Sequence, residues 1–129
     1  MCFEFTKFND SDTVGIKLEL INSTELYCLA DIIDDTFKTC SYSIRENKSV
    51  VAFIQLTVYQ YSNDILWIDL FEVIKKKQGT GKKIMDQIKL QAKKKDFKYL
   101  ACNPIEESKD FFIRKCCFYQ SGEDYLYNL

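Results

Sequence analysis

The stretch Lys75-Lys76-Lys77-Gln78-Gly79-Thr80-Gly81-Lys82-Lys83 holds two of the four glycines in the 129 residues and five of the nine are lysine on either side of them. It joins the apolar run Ile65–Val73 to an amphipathic segment, Gly81–Lys95. A strand that ends in a glycine turn and opens into a helix exposes backbone N–H groups where the helix dipole places roughly half a positive charge. Phosphate is the natural ligand there, and glycine suits it because a Cβ keeps phosphate oxygens off the backbone. The alternative is that Gly79 and Gly81 merely turn the chain. Two familiar phosphate loops do not fit. A dinucleotide fingerprint needs a third glycine where Ile84 stands. A P-loop needs glycine at Lys76 and Ser or Thr at Lys83.

Composition narrows the chemistry further. There is no histidine, so neither Ser-His-Asp nor Cys-His catalysis can be built from this chain, nor a His-containing zinc or di-iron site. Cys2, Cys28, Cys40, Cys102, Cys116 and Cys117 contain no Cys-x-x-Cys pair. With 47% hydrophobic residues the chain does not need staples, and reduced thiols in a cytosol are expected. No signal peptide and no run near the ~20 apolar residues of a membrane span is expected, so the reading is soluble and cytoplasmic, with no membrane partner and no metal.

The net charge of −1 hides a strong sorting. Residues 1–74 carry 5 basic and 12 acidic side chains, residues 75–98 carry 10 lysines against Asp86 and Asp96, and residues 99–129 carry 3 against 5. A charge run is usually a solvated helix face, but this one surrounds the glycine loop.

The elements that must position the loop follow from periodicity. Val14–Ile21 alternates as a strand, and Thr24–Phe37 has helical spacing with Ser23 as a possible N-cap. Cys40–Arg45, Val50–Tyr61 and Ile65–Val73 read as strands separated by short polar turns, which implies an antiparallel meander. Gly81–Lys95 is an amphipathic helix with Ile84, Met85, Ile88 and Ala92 on one face. Tyr99–Cys102 is a short buried strand, parallel to Ile65–Val73 across the helix. Ile105–Cys117 reads as a second helix, and Phe118–Tyr127 as a strand or a hairpin broken at Ser121-Gly122. The expectation is a single α+β domain over 1–129, with a mixed, mostly antiparallel sheet flanked by helices.

Ile68-Asp69-Leu70-Phe71-Glu72-Val73, then Lys76-Lys77-Gln78-Gly79-Thr80-Gly81 and the helix through Ala92, resembles motif A of the GNAT family of acetyl-CoA-dependent N-acetyltransferases. That motif is Gln/Arg-x-x-Gly-x-Gly/Ala after a strand, with Lys76 in the Gln/Arg place. Phe112-Ile113-Arg114-Lys115-Cys116-Cys117-Phe118 resembles motif B, Phe-Tyr-x-x-x-Gly-Phe, with Ile113 for tyrosine and Cys117 for glycine. The likeness covers about residues 40–120. The proportions of the chain and its motif A sequence also resemble the very small phage-encoded GNAT that acts as an anti-CRISPR by acetylating a CRISPR nuclease.

The resemblance implies a GNAT fold with a splayed parallel strand pair and acetyl-CoA as co-substrate. The backbone amides of Gln78, Gly79, Thr80, Gly81 and Lys82 would hold the pyrophosphate, and Lys76 and Lys77 would also bind the cofactor. Backbone groups of Phe71, Glu72 and Val73 would pair with the pantetheine arm, and Asn103 would contact cofactor or acceptor. A lysine acceptor of pKa near ~10.4 must lose a proton, at about 1.36 kcal/mol per pKa unit, and a carboxylate base typically supplies ~10²–10⁴ in rate. Asp69 and Glu72 are the candidates. Three apart on a strand, they face opposite sides unless a bulge intervenes, and the family tends to place the base on the face of Phe71 and Val73, which favours Asp69. Tyr119 is a candidate acid for the departing thiolate, with Cys116 or water as substitutes. The vicinal Cys116-Cys117 pair reads as helix filler.

The function expected is acetyl transfer to an amine, more readily a protein lysine or amino group than a small molecule, because little chain remains to enclose a small one. A GNAT-like acyl-CoA-binding module without turnover is the alternative. Nucleic acid is disfavoured by the acidic remainder of the chain.

Overall fold

A computed structural model describes residues 4–8, 19–23, 37–47, 49–59, 61–74 and 79–129. In chain order the elements are β1 (Glu4–Phe8), β2 (Glu19–Ser23), β3 (Phe37–Glu46), β4 (Ser49–Tyr59), β5 (Ser62–Val73), α1 (Thr80–Lys94), β6 (Tyr99–Cys102), β7 (Tyr119–Ser121) and β8 (Asp124–Asn128). They form one eight-stranded sheet in the order β2-β1-β3-β4-β5-β6-β8-β7. Neighbours pair antiparallel except β5 and β6, which run parallel across α1.

The meander β3-β4-β5 forms because short polar turns join long β-branched and aromatic runs. The first turn is closed by Asn47 at φ 52, a left-handed conformation that asparagine tolerates. Alternate residues of these strands point one way into the core: Tyr42 and Ile44 on β3, Ala52, Ile54, Leu56 and Val58 on β4, Leu66 and Ile68 on β5. Helix α1 lies on this side with Ile84, Met85, Ile88 and Ala92 buried. Removing Ile84, Met85 and Ile88 from water contributes about 1.5–3 kcal/mol each. Lys93 and Lys94 fill the last turn of α1, where the dipole favours cations. Asp96 at φ 66 ends the helix, with Phe97 N–H donating to Ala92 O and Asp96 N–H to Lys93 O, the paired bonds of a Schellman closure.

Residues 105–117 are less regular than the expected helix. Glu106–Ser108 is one 3₁₀ turn and Phe111–Lys115 is π-helical, with Cys116 N–H reaching five residues back to Phe111 O at 3.1 Å. Wide turns of this kind give up regular i→i−4 bonding to aim particular side chains. Here Phe112 and Cys116 go into the core, and Phe111 goes to the start of α1. Lys89 of α1 ties the segment down. Its Nζ donates to Cys116 O at 2.6 Å and sits 3.9 Å from the centroid of the Tyr127 ring.

The last stretch is a hairpin, β7 and β8, turning at Gly122 (φ 64). Strand β1 was not anticipated from sequence. The expected helix over 24–37 lies outside the described residues except Phe37, which opens β3. The expected strand over 14–21 is described only from Glu19, as part of β2. No helix among the described residues is long and apolar enough to cross a membrane.

Candidate active site

Strand β5 serves two neighbours along its length. From Ile65 to Ile68 it pairs with Tyr99–Cys102 of β6, and the pairing stops at Ile68 and Cys102. Beyond that point β6 gives way to Asn103 and Pro104, while β5 runs on to Val73 bonded only to β4. A wedge therefore opens between the two parallel strands. The ladder on its closed side fixes what faces the wedge. Ile74 N–H donates to Val51 O at 2.8 Å. In an antiparallel pair the bonded positions alternate, so Glu72 and Leu70 also turn their backbone groups to β4. Phe71 and Val73 then present theirs to the open edge.

The loop from Val73 leads to the start of α1. Lys76, Lys77 and Gln78 lie outside the described residues. Gly79 takes the N-cap position at φ 81, and the first helical bond runs from Lys83 N–H to Gly79 O at 3.0 Å. The amides of Thr80, Gly81 and Lys82 precede that bond. No side chain among the described residues caps them, and the first turn holds no acid. Thr80 is buried. Lys82 is exposed, with its Nζ 2.7 Å from Asp86, whose hydrogen bond and charge hold the ammonium's pKa above the ordinary lysine value.

The two glycines answer to different constraints within the fold. A Cβ on Gly79 would meet nothing within 4 Å, so its requirement is the left-handed backbone. A Cβ on Gly81 would come within 3.1 Å of the Phe111 ring, so its requirement is close packing. Phe111 in turn lies 6.1 Å from Phe71, centroid to centroid. It thus bridges the end of β5 and the start of α1, and the sequence reading passed it over. The doublet Phe111-Phe112, one ring more than an inward helix face needs, was the available signal.

The candidate bases are placed by a bulge. Leu70 pairs with Gln55 and Ile68 with Leu56, leaving Asp69 as the extra residue. The inserted residue resets the alternation. Ile68, Phe71 and Val73 stand opposite Leu56, Ile54 and Ala52 on the core side, whereas Trp67, Leu70 and Glu72 stand opposite Thr57, Gln55 and Phe53 on the other. Asp69 accepts a hydrogen bond from the Thr57 hydroxyl and so belongs with the second group. Asp69 and Glu72 share the face away from α1, not the face of Phe71 and Val73. Both are exposed.

Asn103 is exposed at the end of β6, at the mouth of the wedge. Tyr119 is not brought to it. The row Trp67, Ala101, Leu126, Tyr119 crosses the sheet and sets Tyr119 three strands from β5, about 14 Å at ~4.8 Å per strand. Its hydroxyl donates to Asn128 at 2.8 Å. Ile113, in the motif B tyrosine position, is 43% exposed. Cys117, in the glycine position, has φ 63. Cys102 and Cys116 are buried and Cys117 is exposed, all three as free thiols.

Solved structures share this fold. A protein from Bacillus anthracis described as a streptothricin acetyltransferase, in complex with acetyl coenzyme A, superposes with a TM-score of 0.61 at 15% identity, covering 100% of this chain and 99% of that one. A GNAT-family acetyltransferase from Staphylococcus aureus gives 0.56 at 18% identity over 70% and 68%. A Bacillus subtilis acetyltransferase in complex with CoA gives 0.54 at 15% identity over 70% and 77%. The chain has the GNAT fold. In that fold β5 and β6 are the splayed parallel pair. The likeness is one of structure: no protein-family model matches the sequence, and no curated protein matches it either.

Proposed function

We propose that this chain is a GNAT-family N-acetyltransferase that moves the acetyl group of acetyl-CoA to an amine, with a protein lysine or amino group as acceptor. The observation that carries the reading is the juxtaposition of the wedge past Ile68 with the uncapped amides of Thr80, Gly81 and Lys82. These groups fit the cofactor's chemistry. Amides at a helix N-terminus suit a pyrophosphate, and the Phe71 and Val73 backbone suits the two amides of a pantetheine arm. The lysine-rich segment around them raises the encounter rate of so anionic a molecule.

Bound there, acetyl-CoA supplies a thioester whose carbonyl an amine attacks, giving an acetamide and the CoA thiol. The residues of the chain do the rest. Asp69, directly or through a water, takes the proton that the amine must lose, and Glu72 on the same face is the second candidate. The N–H of Phe71 or Val73 donates to the carbonyl oxygen as charge develops on it. Asn103 contributes a polar contact at the wedge mouth. The departing thiolate of pKa near ~8.5 needs no strong acid.

A second reading has its own observation in favour. Ile113 replaces the usual tyrosine and the Tyr119 hydroxyl is spent on Asn128, so neither of these two positions offers a phenol ready as an acid. The chain would then bind acyl-CoA with little or no turnover. Thermal unfolding with and without acetyl-CoA, followed by mass spectrometry of a lysate incubated with labelled acetyl-CoA, separates these. Saturation at about 100 times Kd adds ~2.7 kcal/mol of stability. A raised Tm with labelled acceptor supports transfer, a raised Tm with no acceptor supports the binding module, and an unchanged Tm at millimolar acetyl-CoA overturns both.

A further inference from the structure

The face of the sheet away from α1 carries a line of hydroxyls that ends at Asp69. Thr39 pairs with Thr57 across β3 and β4, and Thr57 with Trp67 across β4 and β5. The Thr57 hydroxyl donates to Oδ2 of Asp69, and its oxygen lies 2.9 Å from the Thr39 hydroxyl. A hydroxyl has one proton. Since that of Thr57 goes to the carboxylate, Thr39 is the donor in the second bond, and the chain runs one way, Thr39 to Thr57 to Asp69.

Thr57 is 3% exposed, between the core residues Leu56 and Val58. A hydroxyl buried there costs free energy unless it is bonded, and valine of the same shape would serve a strand equally well. The carboxylate it holds is exposed and stands on a bulge, where the ladder to β4 does not fix its backbone partner. Among the described residues, the Thr57 hydroxyl is the side-chain group that holds the Asp69 carboxylate. With it, Oδ2 is tethered and Oδ1 keeps its lone pairs for a proton.

We propose that Thr57, backed by Thr39, is a positioning residue that tethers one oxygen of the Asp69 carboxylate and leaves the other for the acceptor amine. The proposal rests on the reading of Asp69 as the base. Alignment of a catalytic group is worth much in rate, and a displacement near ~1 Å can cost ~10²-fold.

The test uses the full chain, acetyl-CoA and an unstructured lysine peptide, with Thr57→Val, Thr57→Ser, Thr39→Val, Asp69→Asn and the double variant Thr57→Val/Asp69→Asn. Thr57→Val is expected to lower kcat about ten-fold at unchanged KM for acetyl-CoA, Thr57→Ser to restore it, and the double variant to be no slower than Asp69→Asn. Should Thr57→Val not fold, Thr39→Val, which cuts the second link, is expected to lower kcat by a smaller factor. Equal loss in Thr57→Ser and Thr57→Val assigns Thr57 to packing and overturns the proposal. So does a wild-type rate in Thr57→Val when Asp69→Asn is inactive, with the base assignment left standing. A wild-type rate in Asp69→Asn overturns the base assignment and the proposal with it. One arm does not depend on turnover. Crystal structures should show the Asp69 carboxylate in one rotamer in wild type and spread over several in Thr57→Val, and an unchanged single rotamer in the variant overturns the tether.

Discussion

Gly81 stands against Phe111, whose ring carbons would lie 3.1 Å from a Cβ at position 81. Alanine for glycine within a helix ordinarily gains about 0.5–1 kcal/mol. Here the ring must give way, and it is held by Phe71. Gly81→Ala is therefore expected to bring no gain in urea-melt stability, whereas the same substitution on a Phe111→Leu background should bring one. The double-mutant cycle should show at least ~0.5 kcal/mol of coupling. Additive effects would mean the ring moves freely.

At Gly79 the constraint is of another kind. With φ at 81 and open space around a would-be Cβ, only the backbone resists substitution. Gly79→Ala should cost about 1 kcal/mol, and Gly79→Asn less, because asparagine visits this conformation more readily. Acetyl-CoA affinity, read by calorimetry, should follow the same order on the proposed reading. An alanine variant as stable as wild type would show that the turn can be made another way.

Cys117 occupies a left-handed position, at φ 63, of the kind that favours glycine. Its thiol is exposed. Cys117→Gly should raise stability by about 1 kcal/mol through relief of the backbone, visible as a higher Tm without ligand. A fall in Tm would show that the side chain contributes more than the conformation costs.

Burial pushes the Cys102 and Cys116 thiols from an ordinary 9.0 up to about 12. For a group whose folded pKa is raised, the stabilisation is complete below the unfolded value and is lost as pH rises through the folded one. The folded state should therefore lose stability between about pH 9 and 12, and the Cys102→Ala/Cys116→Ala variant should lose less over that window in urea melts. Equal slopes would sink the assignment. In the native protein at pH 8, iodoacetamide should label Cys117 ahead of Cys102 and Cys116, as peptide mapping can read.

Much of this was legible in the residues. The meander, α1 and β6 follow from period-two and 3.6-residue patterns that burial of one face enforces, and the strand-loop-helix junction follows from its glycines. What was not legible is instructive. The bulge at Asp69 has no glycine or proline to mark it, because it arises where β5 meets β4, and it reverses the face on which Asp69 falls. The π-helical turn over Phe111–Lys115 is set by where three aromatic rings pack, a tertiary demand that local spacing does not encode. β1 is short, and its alternation of Phe5 and Thr6 breaks at Lys7 and Phe8, where its register to β2 also shifts. Tyr119 looked available as an acid because sequence distance says nothing about the strand order that carries β7 to the edge of the sheet.

The early end of β6 has a consequence for handling the protein. Past Ile68 the backbone of β5 is a strand edge with half its hydrogen-bonding groups unclaimed by β6, and such edges invite another chain to add itself. On the proposed reading the pantetheine arm, with its two amides, is the molecule that closes the sheet there. Acetyl-CoA would then act as a guard against self-association as well as a substrate, and preparations stripped of it should be the ones that aggregate on warming.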